Sequence, residues 1–212
     1  GGIGVSGDMN AYGIVAEAMG GSVYVHNSGS IDVYAQDNYA YGVKASGYGD
    51  IAIGNAGIIS ASADNSNAVG VLADATGYGD IMISNVGALD TDGYFTGGVI
   101  QAGGYQWSVG IEAHAELGNI SIANSGLIEA YSYANDSSGV LASSLFGNVG
   151  VVNAATGVIL SYSNDDYGTA MGIDARSLGG GASATNQGVV VAEAEYAFGI
   201  NVYTYGSENA TA

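Results

Sequence analysis

Apolar and polar residues alternate with a period of two through most of this chain, in short bursts separated by Gly, Asn and Asp. Near residue 50 three bursts follow one another. Val43 and Ala45 flank Lys44, then Ile51 and Ile53 flank Ala52, then Ile59 and Ala61 flank Ser60. A period of two marks a strand with one buried face, and no helical period of 3.6 is present. Lys44, Ala52 and Ser60 are therefore expected to point outward.

The bursts recur as a unit. An Ala/Ser-x-Gly-Val/Ile phrase spans Ala11–Ile14, Ala40–Val43, Ala68–Val71, Ser108–Ile111, Ser137–Val140, Ala170–Ile173 and Ala197–Ile200. Its glycines are spaced by 29, 28, 40, 29, 33 and 27 residues. A second phrase, Gly-Asp/Asn-Ile-x-Ile-x-Asn-x-Gly-x-Ile, is clearest at Gly49–Ile59 and Gly118–Ile128. Superposing the units puts like on like: Ile14, Val43, Val71, Ile111, Val140, Ile173 and Ile200 in one column, and Ala16, Ala45, Ala73, Ala113, Ala142 and Ala175 in the next. In-register stacking of identical phrases is what a parallel coil produces, with turns about 4.8 Å apart. The expected fold is all-β, a right-handed parallel β-helix with three short strands per turn. About seven turns would give a tube roughly 30–35 Å long. Residues 1–212 form a single segment of it. Asn27, Asn55, Asn85, Asn124, Asn153 and Asn186 recur at one phase and are expected to stack as an amide ladder at a tight turn, where αL backbone is tolerated. Glycines are expected at corners where positive φ costs little.

Composition narrows the function. Formal net charge is −18, and Lys44 and Arg176 are the only Lys or Arg side chains. Nucleic-acid binding needs cations to displace counterions from phosphate and is excluded as a function class. An anionic membrane surface would repel the chain, and no apolar run reaches the roughly 20 residues of a spanning helix, so direct membrane insertion is not expected. There is no Cys, hence no disulfide framework or thiolate site, and no Pro to interrupt strand pairing. Gly1–Gly4 carries no basic or apolar leader. Neither end shows a polar capping segment, so a fragment of a longer helix is expected.

The phrases Asn27-Ser28-Gly29-Ser-Ile31 and Asn124-Ser125-Gly126-Leu-Ile128-Glu-Ala130, alternating with Ala-x-Gly-Ile-x-Ala, resemble the repeats of β-helical passenger domains of bacterial autotransporters, the surface adhesins among them. The resemblance covers nearly the whole chain. It implies export, an extracellular place on the bacterial outer surface, and roles in adhesion, aggregation or biofilm formation. The partners it implies are a host or neighbouring-cell surface, glycans, or copies of the chain itself. A structural or adhesive stalk without enzymatic activity is the expected function. Two other readings are a subunit of an end-to-end extracellular filament and a fragment of a β-helical polysaccharide lyase or hydrolase.

Candidate chemistry is sparse. A lyase wants a basic residue beside calcium ligands, and Lys44 and Arg176 lie several turns apart. A hydrolase wants paired carboxylates. Asp74 and His114 fall in one outward column on adjacent turns with Glu112 beside them, read first as a surface hydrogen-bonded pair; His26 is isolated. No cofactor is required. The acidic corner holding Asp37, Asp64, Asp136 and Asp165 could take Ca2+, because stacked carboxylates repel unless neutralised. The 40-residue spacing marks an inserted loop, placed at residues 92–108, whose Tyr94, Phe95, Tyr105 and Trp107 are candidate ligand contacts. Tyr34, Tyr131 and Tyr162 share an outward column and are further candidates.

Overall fold

The computed structural model describes residues 1–205 and 209–212. Three parallel seven-stranded sheets wrap one tube, a parallel β-helix of about seven turns with three strands per turn. The first sheet contains Ala40–Gly47, Ala68–Ala75, Ser108–Ala115 and Ser137–Ser144; the second contains Ile51–Asn55, Ile81–Asn85 and Ile120–Asn124; the third contains Ser30–Ala35, Ile58–Ala63, Val99–Gly104 and Leu127–Ser132. Register is residue for residue. Ala45 pairs with Ala73, Ala73 with Ala113 and Ala113 with Ala142, and the isoleucines of Ile51–Asn55 lie on those of Ile81–Asn85. Inward Val43, Val71, Ile111, Val140 and Ile173 are fully buried, as are the alanines beside them. Small alanines let facing sheets close on the aliphatic columns, so the tube is packed solid.

The glycines of the Ala-x-Gly phrase have a different job from the one expected. Among the described residues only Gly93 and Gly98 have positive φ, 88° and 63°. Gly13, Gly42, Gly70, Gly110, Gly139 and Gly172 are instead places of close approach, and Gly199 on the last turn is not. A Cβ on Gly110 would strike Ile128 Cγ2, from the third sheet, and the carbonyl oxygen of Gly139 on the next turn. Bare backbone is required because the first sheet bends inward here, onto the third sheet's isoleucines.

The corner after the second strand is built by asparagine. Nδ2 of Asn27, Asn55, Asn85, Asn124 and Asn153 each donates to Oδ1 of the asparagine on the next turn, at 2.8, 2.9, 2.8, 2.8 and 2.8 Å. Each Oδ1 of Asn27, Asn55, Asn124 and Asn186 also accepts the N–H two residues on, as Gly57 N–H does at 3.2 Å from Asn55. The turn is thus tied by side chain, and no asparagine adopts positive φ, contrary to the αL expectation. Asn55, Asn85, Asn124 and Asn153 are buried and almost fully satisfied, which leaves them nothing to offer a ligand.

The insertion overlaps the expected range 92–108 only in its first residues. Val99–Gly104 is an ordinary third strand in register with Ile58–Ala63 and Leu127–Ser132, and Tyr105–Trp107 is an ordinary corner. The extra residues leave between Asn85 and Gly98. Asn85 Nδ2 reaches the carbonyl of Gly98, 13 positions on, where Asn55 reaches that of Gly57, 2 positions on. Between them Ala88–Leu89 and Phe95–Gly97 form an antiparallel hairpin. Its turn is held by Asp90 Oδ1, which accepts N–H of Asp92 and Tyr94 at 3.0 and 2.9 Å. Gly97-Gly98-Val99-Ile100 keeps the Gly-x-Ile of the repeat, but its asparagine is displaced upstream, which hid the true junction.

Candidate functional site

The first sheet presents the most varied outer face. Asp74, His114, Ser143 and Arg176 occupy one outward column on consecutive turns, with Leu72, Glu112, Leu141 and Asp174 alongside. Strand alternation aims all of them away from the core. The expected Asp74–His114 pairing is replaced by a tighter one. His114 Nε2 lies 2.7 Å from Glu112 Oε1, and His114 Nδ1 lies 2.7 Å from Ser143 Oγ. The hydrogen bond to Glu112 raises the His114 pKa above 6.5, burial opposes it, and the charges of Glu112 and Asp74 add to the rise. Sequence inspection missed Ser143, because one small polar residue in an outward column looks like any other.

One turn on, Asp174 is fully buried despite its outward phase. Arg176 Nε donates to its Oδ1 at 2.8 Å, the guanidinium pairs with Oδ2, and Asn201 Nδ2 donates to Oδ1 at 2.9 Å. A cavity of about 510 Å3 opens here, lined by Ser143, Leu145, Arg176, Leu178, Asn201 and Tyr203. Lys44 is far from this site, with Nζ 5.8 Å above the Tyr12 ring.

The aromatic candidates separate. Tyr94 and Phe95 ride on the hairpin at the corner after the second strand, whereas Tyr105 and Trp107 sit at the corner after the third. A six-residue strand, about 20 Å long, lies between the two pairs. Tyr94 is exposed, Phe95 and Trp107 are half-buried, and Tyr105 stacks on Tyr133 of the next turn at 5.6 Å. Tyr131 and Tyr162 are neighbours in register, but Ser62 and Gly103 intervene between Tyr34 and Tyr131, so the column is interrupted. Tyr34 donates its hydroxyl to Asp64 at 2.5 Å, and that bond raises its pKa. A second stack runs through Tyr12, Tyr41 and Tyr39, with centroids 5.4 and 5.8 Å apart. Burial, first of several causes, pushes the Tyr41 hydroxyl up to about 12.

The acidic corner does not stack carboxylate on carboxylate. Asp37 Oδ1 accepts from Asn65 Nδ2 at 3.1 Å, Asp64 is held by Tyr34, and Asp136 Oδ1 accepts the N–H of Thr169 at 2.8 Å. The Asp165 carbonyl closes a turn with the N–H of Gly168 at 3.1 Å. An amide, a hydroxyl and a backbone N–H answer the carboxylates of Asp37, Asp64 and Asp136 in turn. Among the described residues no three or more His, Cys, Asp or Glu side chains come together to hold a metal ion.

The corner after the first strand carries a feature that the sequence shows only in part, in the matching Gly-Tyr-Gly-Asp turns of Tyr48 and Tyr78. Met19, Tyr48, Tyr78, Phe146, Leu178 and Tyr205 all occupy it on their respective turns, and all are exposed, at 102, 48, 73, 64, 47 and 70%. Leu117 fills the remaining turn and is half-buried. Isolated exposed apolar residues are common, but here they recur along one edge on successive turns.

No protein-family model, curated protein or solved structure matches the chain.

Proposed function

We propose that this chain is a rigid adhesive and structural stalk segment of a secreted or surface-displayed bacterial protein, acting outside the cell. The apolar ridge from Met19 to Tyr205 carries the reading: it spans every turn, is built from Met, Tyr, Leu and Phe side chains, and leaves Met19, Tyr78, Phe146 and Tyr205 more than 60% exposed. A packed tube fixes the ridge in space, so little ordering entropy is lost when a partner docks. Exposed tyrosines and amides beside it give amphipathic contacts suited to sugars or protein surfaces. The partners are a host or neighbouring-cell surface, its glycans, or other copies of the chain. The net charge of −18 opposes non-specific clustering, so contact is expected to strengthen with salt as that repulsion is screened.

The test is adhesion of the purified chain to bacterial and epithelial cells, compared with the Tyr48→Ser, Tyr78→Ser, Phe146→Ser variant. Adhesion that falls at least tenfold in the variant supports the reading. Equal adhesion, or none by the unaltered chain to either cells or itself, overturns it.

A further inference from the structure

The geometry points to a second, chemical role: Ser143, His114 and Glu112 form a nucleophile, base and orienting carboxylate that hydrolyse small carboxylic esters, with the cavity beside Ser143 receiving the acyl group. The idea does not depend on the adhesive reading and survives its failure. Three side chains from two turns are needed for it, and both hydrogen bonds are in place, each 2.7 Å long. That is the spacing a base needs to reach a hydroxyl proton and an orienting group needs to hold the base.

The tautomer follows from the partners. An ionised Glu112 can only accept, so His114 Nε2 carries the hydrogen and Nδ1 turns its lone pair to Ser143 Oγ. Ring and carboxylate are both partly shielded, with side-chain exposures of 39 and 13%, so their attraction is less screened than in open water. The surroundings fit an ester. Leu145, Leu178 and Tyr203 give the cavity an apolar wall, and Arg176 stands one turn beyond Ser143. Asp174, itself held by Asn201, pairs with Arg176 and fixes the guanidinium beside the serine. The guanidinium N–H groups that Asp174 does not take up are left to donate to an oxyanion as its charge develops.

The chemistry balances without a cofactor. Ser143 Oγ bonds to the ester carbonyl carbon as its proton passes to His114 Nδ1, and the carbonyl π pair moves onto oxygen. Glu112 stabilises the imidazolium. Collapse of the adduct breaks the bond to the alkoxide, which leaves with the proton from Nδ1. Water then attacks the acyl-serine, gives its proton to Nδ1, and Ser143 departs with it. The net change is ester plus water to acid plus alcohol.

The probes are a fluorophosphonate, which phosphonylates activated serines, and p-nitrophenyl butyrate. Labelling of the unaltered chain, mapped by mass spectrometry to Ser143, is the expected result, and it needs no variant. Ser143→Ala removes label and turnover, and His114→Gln lowers turnover about 100-fold or more. Glu112→Gln falls between them, with far-ultraviolet circular dichroism confirming intact sheet in each. Turnover rises with pH as His114, facing Glu112, Asp74, Ser143 and Arg176, loses its proton above the ordinary histidine range. Absence of label at Ser143 on the folded chain, or hydrolysis undiminished in Ser143→Ala, overturns the assignment.

Discussion

Two corners of the same tube obey opposite rules. After the second strand, six turns in succession place an asparagine, and each amide bonds the next at 2.8 or 2.9 Å. After the first strand, the turns place Met19, Tyr48, Tyr78, Leu117, Phe146, Leu178 and Tyr205, a mixture of four apolar or aromatic types in no fixed order. The first corner faces its own copies above and below, so one residue type satisfies every neighbour and any other breaks two turns at once. The second faces solvent or a partner, so only the kind of surface matters. Inside a solenoid, identity is forced by the adjacent turn; outside, it is free to follow function.

The comparison breaks hardest at Asn124. Its replacement by Leu removes hydrogen bonds to Asn85, Asn153, Gly126 and Val158. Stranding buried partners costs about 1–3 kcal/mol each, so urea denaturation should show a loss of at least about 3 kcal/mol. A loss under 1 kcal/mol would mean that the ladder is decoration. A smaller effect is expected from deleting residues 87–97, which would restore an Asn-x-Gly junction with Asn85 followed by Val86 and Gly98. The hairpin packs outside the tube, and shortening a surface excursion changes closure entropy by about 2 kcal/mol at most, in the stabilising direction. Unfolding of that deletion variant would show that the hairpin is part of the core.

The smallest effect concerns His114. Its pKa is raised in the fold by the Glu112 hydrogen bond, above the 6.5 of the free side chain. The imidazolium–carboxylate contact therefore contributes its full stabilisation below pH 6.5 and loses it as pH climbs through the raised value. The gain is modest because the ring is partly solvated. Urea midpoints measured across this range should decline with rising pH, and Glu112→Gln should flatten the decline; an unchanged slope would place the titration elsewhere.

What the sequence made legible divides along the same line. Strand phase, the aliphatic and alanine columns and the asparagine phase all stood out, because stacking repeats residue identity. Of the ridge, only Tyr48 and Tyr78 stand out, in matching Gly-Tyr-Gly-Asp turns, because Met19 and Phe146 look unrelated to them until the turns are aligned in space. The His114–Ser143 contact was hidden for a like reason: the pair lies on neighbouring turns 29 positions apart, and nothing local distinguishes Ser143 from Ser46 or Asp74 in its column. Spacing alone carries the insertion past the hairpin and through Val99–Gly104, because that strand has no asparagine just before it. Glycine misled in its mechanism, since a need for bare backbone leaves the same letter whether it arises from φ or from contact, as at Gly110.

The most direct test sets the two corners side by side in one experiment, measuring both the urea midpoint and cell adhesion for Asn124→Leu and for the Tyr48→Ser, Tyr78→Ser, Phe146→Ser variant. The account predicts that the ridge variant keeps its midpoint, with changes near about 0.5 kcal/mol per site or less, and loses adhesion. Asn124→Leu should lose stability while the fraction that remains folded still adheres. A ridge variant that unfolds, or one that adheres as well as the unaltered chain, would contradict the division between an inner scaffold and an outer contact surface.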